Sequence, residues 1–98
     1  MSKRKGNRNE HRSINLLKSC GYYVIRAAAS LGEFDLIAMD AFSFRLIQVK
    51  TNRWPGPEER TAMLMVPRPD NATVEAWRWN DYERKPHIRV LGSCQSND

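Results

Sequence analysis

Two short apolar runs separated by a four-residue turn dominate the middle of the chain. Phe34, Asp35, Leu36, Ile37, Ala38 and Met39 form the first run, Asp40, Ala41, Phe42 and Ser43 carry turn chemistry, and Phe44, Arg45, Leu46, Ile47, Gln48, Val49 and Lys50 form the second. Runs this close together predict the two arms of a hairpin. Side chains alternate across a strand, so Gln48 and Lys50 project to one side, about 7 Å apart, and Ile47 and Val49 to the other. Antiparallel pairing sets the start of one arm beside the end of its partner, which places Asp35 next to Gln48 and Lys50. A carboxylate, an amide and an ammonium group converge here with no long-range assumption.

The 98 residues suffice for one domain with a single core, of a size that a dimer interface would help to stabilise. Sixteen Lys and Arg stand against 11 Asp and Glu, a net charge of +5, and the pI near 9.6 favours a polyanionic partner. Mild basicity also serves solubility alone. Cys20 and Cys94 are far apart and lack CxxC spacing, so neither a disulfide framework nor a zinc site is expected, and Cys20 reads as a small core residue at the end of an amphipathic stretch. No apolar stretch approaches the roughly 18 residues of a membrane span, and no signal peptide or repeat is evident.

Residues 1–8 read as a flexible basic arm, because Ser2 to Arg8 offer nothing apolar to bury. From about Asn9 to Cys20, Ile14, Leu17 and Cys20 recur at helical spacing, with Gly21 as a stop. Glu10 lies on that stripe one turn before Ile14, where a carboxylate needs compensation. It could be met by a metal, by the helix dipole, or by Arg8 or Arg12. Tyr22 to Ala27 reads as a strand, and Ala28 to Glu33 as a small-residue turn where Ser30 and backbone could approach a ligand. Thr51 to Pro57 reads as a loop whose Arg53 and Trp54 flank the Gln48–Lys50 end. A second helix is expected from Pro57 or Glu58 to about Met65, since proline suits a first turn and Glu58 and Glu59 suit its positive end, with further strands at Val74–Trp79 and His87–Leu91. One domain is thus expected over residues 9–93, followed by a polar tail at 94–98.

Lys5-Gly6 followed by Glu10, Val24 to Ser30 before the turn, Asp35-Leu36-Ile37-Ala38, and Gln48-Val49-Lys50 occur in this order and spacing. With them the chain resembles the PD-(D/E)xK nuclease superfamily, and within it the small Holliday junction resolvase-type endonucleases, well over about its first fifty residues and by element order beyond. The resemblance implies an α/β, restriction-endonuclease-like core: a mixed sheet of four or five strands flanked by two helices in the order αβββαβ. It implies a magnesium-dependent endodeoxyribonuclease, with manganese as a substitute, acting on branched or junction DNA. The implied ligands are Asp35 at the centre, Gln48, the Val49 carbonyl, and Glu10 for a second ion. Lys50 would position the attacking water or stabilise phosphoryl charge, and Ser30 would contact the scissile phosphate or support the site. The family usually has Glu or Asp where this chain has Gln48; the amide keeps an oxygen and loses a charge, so weaker ion affinity is expected.

Lys3, Arg4, Lys5, Arg8, Arg12, Arg26, Arg53 and Trp54 are candidates for tracking a nucleic-acid backbone, Trp54 by stacking on a base or wedging a strand. Trp54 could equally cover an apolar gap. Trp77 and Trp79 read as core or dimer-interface residues, and no chemistry is assigned to His11 or His87; Glu33, two residues before Asp35, could assist a metal but reads first as an exposed turn acid. Paired cuts in a four-way junction need two sites, so the implied enzyme is a homodimer and its expected setting is cytoplasmic, associated with nucleoid or viral DNA. The alternatives are a DNA-binding module of the same fold that has lost cleavage, and a sequence-specific restriction or repair nuclease.

Overall fold

The computed structural model describes residues 2–27 and 33–92, with side chains from residue 8 onward. The elements run α1 (Ser2–Ser19), β1 (Tyr23–Arg26), β2 (Leu36–Met39), β3 (Phe44–Thr51), α2 (Pro57–Met65), β4 (Ala72–Trp79) and β5 (His87–Gly92). The strands form one five-stranded sheet in sequential order. β3 and β4 run parallel, and the other neighbours are antiparallel. The sheet is therefore mixed, with α2 as the crossover that a parallel pair requires.

Alternation along the strands divides the core in two. On one face Leu17 of α1 packs with Leu36, Ala38, Ile47 and Trp77, flanked by Ile14, Tyr22, Val24 and Val49. On the other, Met63 of α2 packs with Leu46, Ala72 and Val74, flanked by Phe34, Ile37, Phe44 and Leu91. Burial of Ile47 with α1 and of Leu46 with α2 sends Gln48 and Lys50 to the α2 face. Trp77 and Trp79 are 1% and 2% exposed, so both are core residues of this chain. Trp79 Nε1 donates to the buried Ser13 Oγ at 2.7 Å, tying β4 to α1.

Two expectations need correction. The helix begins at Ser2 rather than near Asn9, so residues 2–8 continue α1. Once Asn9–Leu17 is packed, adding turns needs no new nucleus, and lysine and arginine are good helix formers. Cys20 is exposed rather than a core residue. The helix has ended by then: Gly21 N–H donates to Lys18 O at 3.0 Å and Tyr22 N–H to Leu17 O at 3.1 Å. With Gly21 at φ +93°, this is a Schellman turn, and Tyr22 rather than Cys20 returns to pack on Leu17. The hairpin turn is stabilised by Asp40, whose Oδ1 accepts from the N–H groups of Phe42 and Ser43 at 2.9 and 2.8 Å.

Candidate active site

The β2–β3 register begins with Leu36 paired to Ile47, and Asp35 lies immediately before β2, against the Ile47–Val49 stretch of β3. Asp35 N–H donates to Ile47 O at 2.9 Å, and its Oδ2 accepts from Val49 N–H at 2.8 Å. Backbone on both sides thus holds the carboxylate against β3, leaving Oδ1 for other work. Burial lifts the Asp35 carboxyl above its ordinary range. The Val49 N–H draws it back, the charge of Glu10 pushes it up again, and Lys50 and Arg26 pull it down. Glu10, Lys50 and Arg26 all reach Asp35 electrostatically, so α1, β1, β2 and β3 converge on one point.

Gln48 donates from Nε2 to Glu33 O at 3.1 Å, which turns its other amide atom inward. Gln48 Oε1 is buried without a hydrogen-bond partner, one of two such side-chain atoms among the described residues. An open acceptor at that depth is unusual. It fits a hard cation, which takes carboxylate, amide and carbonyl oxygens together. No group of three His, Cys, Asp or Glu side chains able to hold a metal occurs among the described residues. The available donors are Asp35, Gln48 Oε1 and the Val49 carbonyl, with Glu10 nearby. Glu10 Oε1 is held by Arg26 Nε at 3.0 Å and its side chain is 19% exposed; the inward-stripe carboxylate is compensated by Arg26, not by Arg8 or Arg12.

Lys50 Nζ donates to Glu59 Oε2 at 2.6 Å. Glu59 is anchored in turn: its Oε1 accepts from Gly56 N–H at 2.9 Å, and Arg53 Nη1 lies 3.6 Å from the same oxygen. The Lys50 hydrogen bond, followed by that from Gly56, holds the Glu59 carboxyl below its ordinary range. Glu59 is the site residue the sequence reading missed, having been read only as a charge suited to the helix N-terminus. The signal was present as the reach-back acid three residues after the Gly56 cap.

The remaining candidates are dispersed. Ser30 and the side chains of Lys3, Arg4 and Lys5 lie outside the described residues. Arg12 packs 4.1 Å from the Trp79 ring centroid and donates to Glu83 O at 2.8 Å. It lines a cleft of about 400 Å³ with Arg8, Tyr82, Glu83 and Arg84 on the α1 side. Trp54 lies under Arg78 and Arg89, whose guanidinium carbons are 4.9 and 4.2 Å from its ring centroid.

A mixed sheet between two helices, with an acid at the mouth of β2 and a Gln-x-Lys pair ending β3, defines a chain of the PD-(D/E)xK nuclease superfamily. The family model described as archaeal Holliday junction resolvase (Hjc) matches residues 1–55, and the chain belongs to that family. Its fold is that of Hjc from Archaeoglobus fulgidus, a Holliday junction resolvase from an archaeal hyperthermophile. The two superpose with a TM-score of 0.75 at 19% identity, covering 89% of this chain and 73% of that one. No curated protein sequence matches the chain. Among the described residues no helix is long and apolar enough to cross a membrane.

Proposed function

We propose that this chain is a divalent-metal-dependent endonuclease that cuts phosphodiester bonds in branched DNA, four-way junctions foremost, as a symmetric pair of subunits. The observation that carries the reading is the open, buried Gln48 Oε1, two residues before Lys50 and between the two β3 residues, Ile47 and Val49, to which Asp35 is hydrogen-bonded. Asp35, Gln48 and the Val49 carbonyl would hold magnesium or manganese, with Glu10 for a second ion; when bound, the ion would supply charge neutralisation at the phosphate and a more acidic water.

The chain's own residues do the rest. Asp35, locked by the Val49 N–H, presents one free oxygen at a constant place. Lys50, with one donor spent on Glu59, has two N–H donors left to meet the phosphoryl oxygens as negative charge gathers on them. A water oxygen bonds to phosphorus, an ester P–O bond breaks, and the ends carry a phosphate monoester and a hydroxyl. Ser30, by family resemblance, supports the scissile phosphate. Arg8, Arg12, Arg53 and the N-terminal cations contribute attraction to the backbone. Exposed Tyr23 and Ile25 on the β1 edge and Ile88 and Val90 on the β5 edge support an interface with a second copy.

A second reading, a DNA-binding module without cleavage, is favoured by one observation: Gln48 brings no charge, and no triple-acid cluster compensates among the described residues. The two separate on incubation with four-way, duplex and single-stranded DNA in magnesium, manganese or EDTA. Metal-dependent cutting lost in Asp35→Ala and Lys50→Ala supports the endonuclease. Tight binding with no cutting in either metal supports the module.

A further inference from the structure

The sheet register continues past the cleavage site. Lys50 pairs with Arg78, and Gln48 with Ala76; Ala76 in turn pairs with Arg89 on β5. Paired residues point to the same face, so Gln48, Ala76 and Arg89 form one row on the α2 face and Lys50 and Arg78 begin the next. Ala76 contributes only a methyl group between Gln48 and Arg89. At about 4.8 Å per strand, Arg89 stands roughly 10 Å from Gln48, about three steps of the 3.4 Å axial rise of a nucleic-acid strand.

Both arginines lie on Trp54, the aromatic residue of the loop after β3. An indole under a guanidinium takes up its flat face and orders it, while the N–H groups around its edge still donate. Arg26, Arg45 and Arg53 each stand by a glutamate: Glu10, Glu75 and Glu59. Among the described residues no such close ion pair forms at Arg78 or Arg89, Arg78 acting on Glu83 only at longer range, and Arg78 Nε is the second buried polar atom left without a hydrogen-bond partner. Two ordered cations with unspent donors thus sit one and two strands from the Gln48–Lys50 end.

We infer that Arg78 and Arg89, ordered by Trp54, form a contact for the phosphodiester backbone of the strand being cut, extending the site across the sheet from Lys50 toward β5. This rests on the endonuclease reading for the choice of strand. It also gives Trp54 a different role from base stacking: it holds the arginines that hold the phosphates.

The test is binding of wild type, Arg89→Gln, Arg78→Gln, Trp54→Ala and Lys18→Gln to a fluorescent four-way junction in EDTA, across a salt series. Lys18 is exposed at the far end of α1 and controls for loss of charge alone. The expected result is a several-fold higher Kd and a salt-dependence slope lower by about 1 for each arginine variant. Trp54→Ala should match or exceed either one, and Lys18→Gln should leave the slope nearly unchanged. Arg89 is exposed, so its variant reports on the contact even if Arg78→Gln unfolds. An unchanged slope in Arg89→Gln, or an equal drop in Lys18→Gln, overturns the inference, as does failure of the wild type to bind. Cleavage is scored separately in manganese. Binding that depends on Arg89 in a protein that never cuts sinks the endonuclease reading and keeps the contact; cutting with no Arg89 dependence does the reverse.

Discussion

Asp35 is held at β3 by the Val49 N–H while burial and Glu10 work against its charge. Its folded-state pKa is raised, so it favours the fold below its ordinary value of 3.8, and that contribution is lost as pH rises through the raised value. Asp35→Asn, which keeps an oxygen for Val49, should therefore raise Tm at neutral pH in EDTA by a few degrees, with the difference closing at pH 3 or below; thermal melts across pH check this. Glu59 acts through Lys50. Glu59→Gln should lower kcat roughly 10- to 100-fold with a smaller effect on KM, and should add little to the loss in Lys50→Ala; steady-state kinetics of the pair read this out. Asp35, Gln48 and Lys50 were legible in sequence because a hairpin brings them together locally. The Arg26–Glu10 and Glu59–Lys50 ion pairs were not, since each joins different elements and depends on how a helix sits on the sheet.

Element types and most boundaries followed from local chemistry. Pro57 with Glu58 and Glu59 marked the start of α2, and the Asp40–Ser43 turn set the β2–β3 hairpin. Gly21 marked the end of α1, and its φ of +93° shows why. A Cβ there meets nothing within 4 Å, so Gly21→Ala isolates the backbone cost of the left-handed region. It should destabilise the chain by about 1 kcal/mol in urea unfolding, with m unchanged. The start of α1 was misjudged because a polar segment shows no periodicity to read, whereas a helix already nucleated by packing extends through lysines and arginines regardless. The single-face reading of Ile14, Leu17 and Cys20 failed at its last member for a related reason: spacing predicts a face only while the helix continues.

At the scale of the whole molecule, the parallel pairing of β3 with β4 decides what surrounds the site. Nothing in Val74–Trp79 alone announces that register, and from it follow the burial of Trp77 and Trp79, the row from Gln48 to Arg89, and the position of Glu59 over Lys50. Glu75 shows the same dependence. Burial acts against its charge, yet hydrogen bonds from Arg45, Trp77 and Thr73 together hold its carboxyl below the ordinary range; its bidentate partner, at 2.9 and 2.8 Å, comes from β3. The central claim is that Asp35, Gln48 and the Val49 carbonyl form one pocket for a divalent ion. Calorimetric titration of manganese into wild type, Asp35→Asn and Gln48→Glu tests it most directly. Saturable binding that tightens in Gln48→Glu and disappears in Asp35→Asn is the predicted result; affinity indifferent to both substitutions would contradict it.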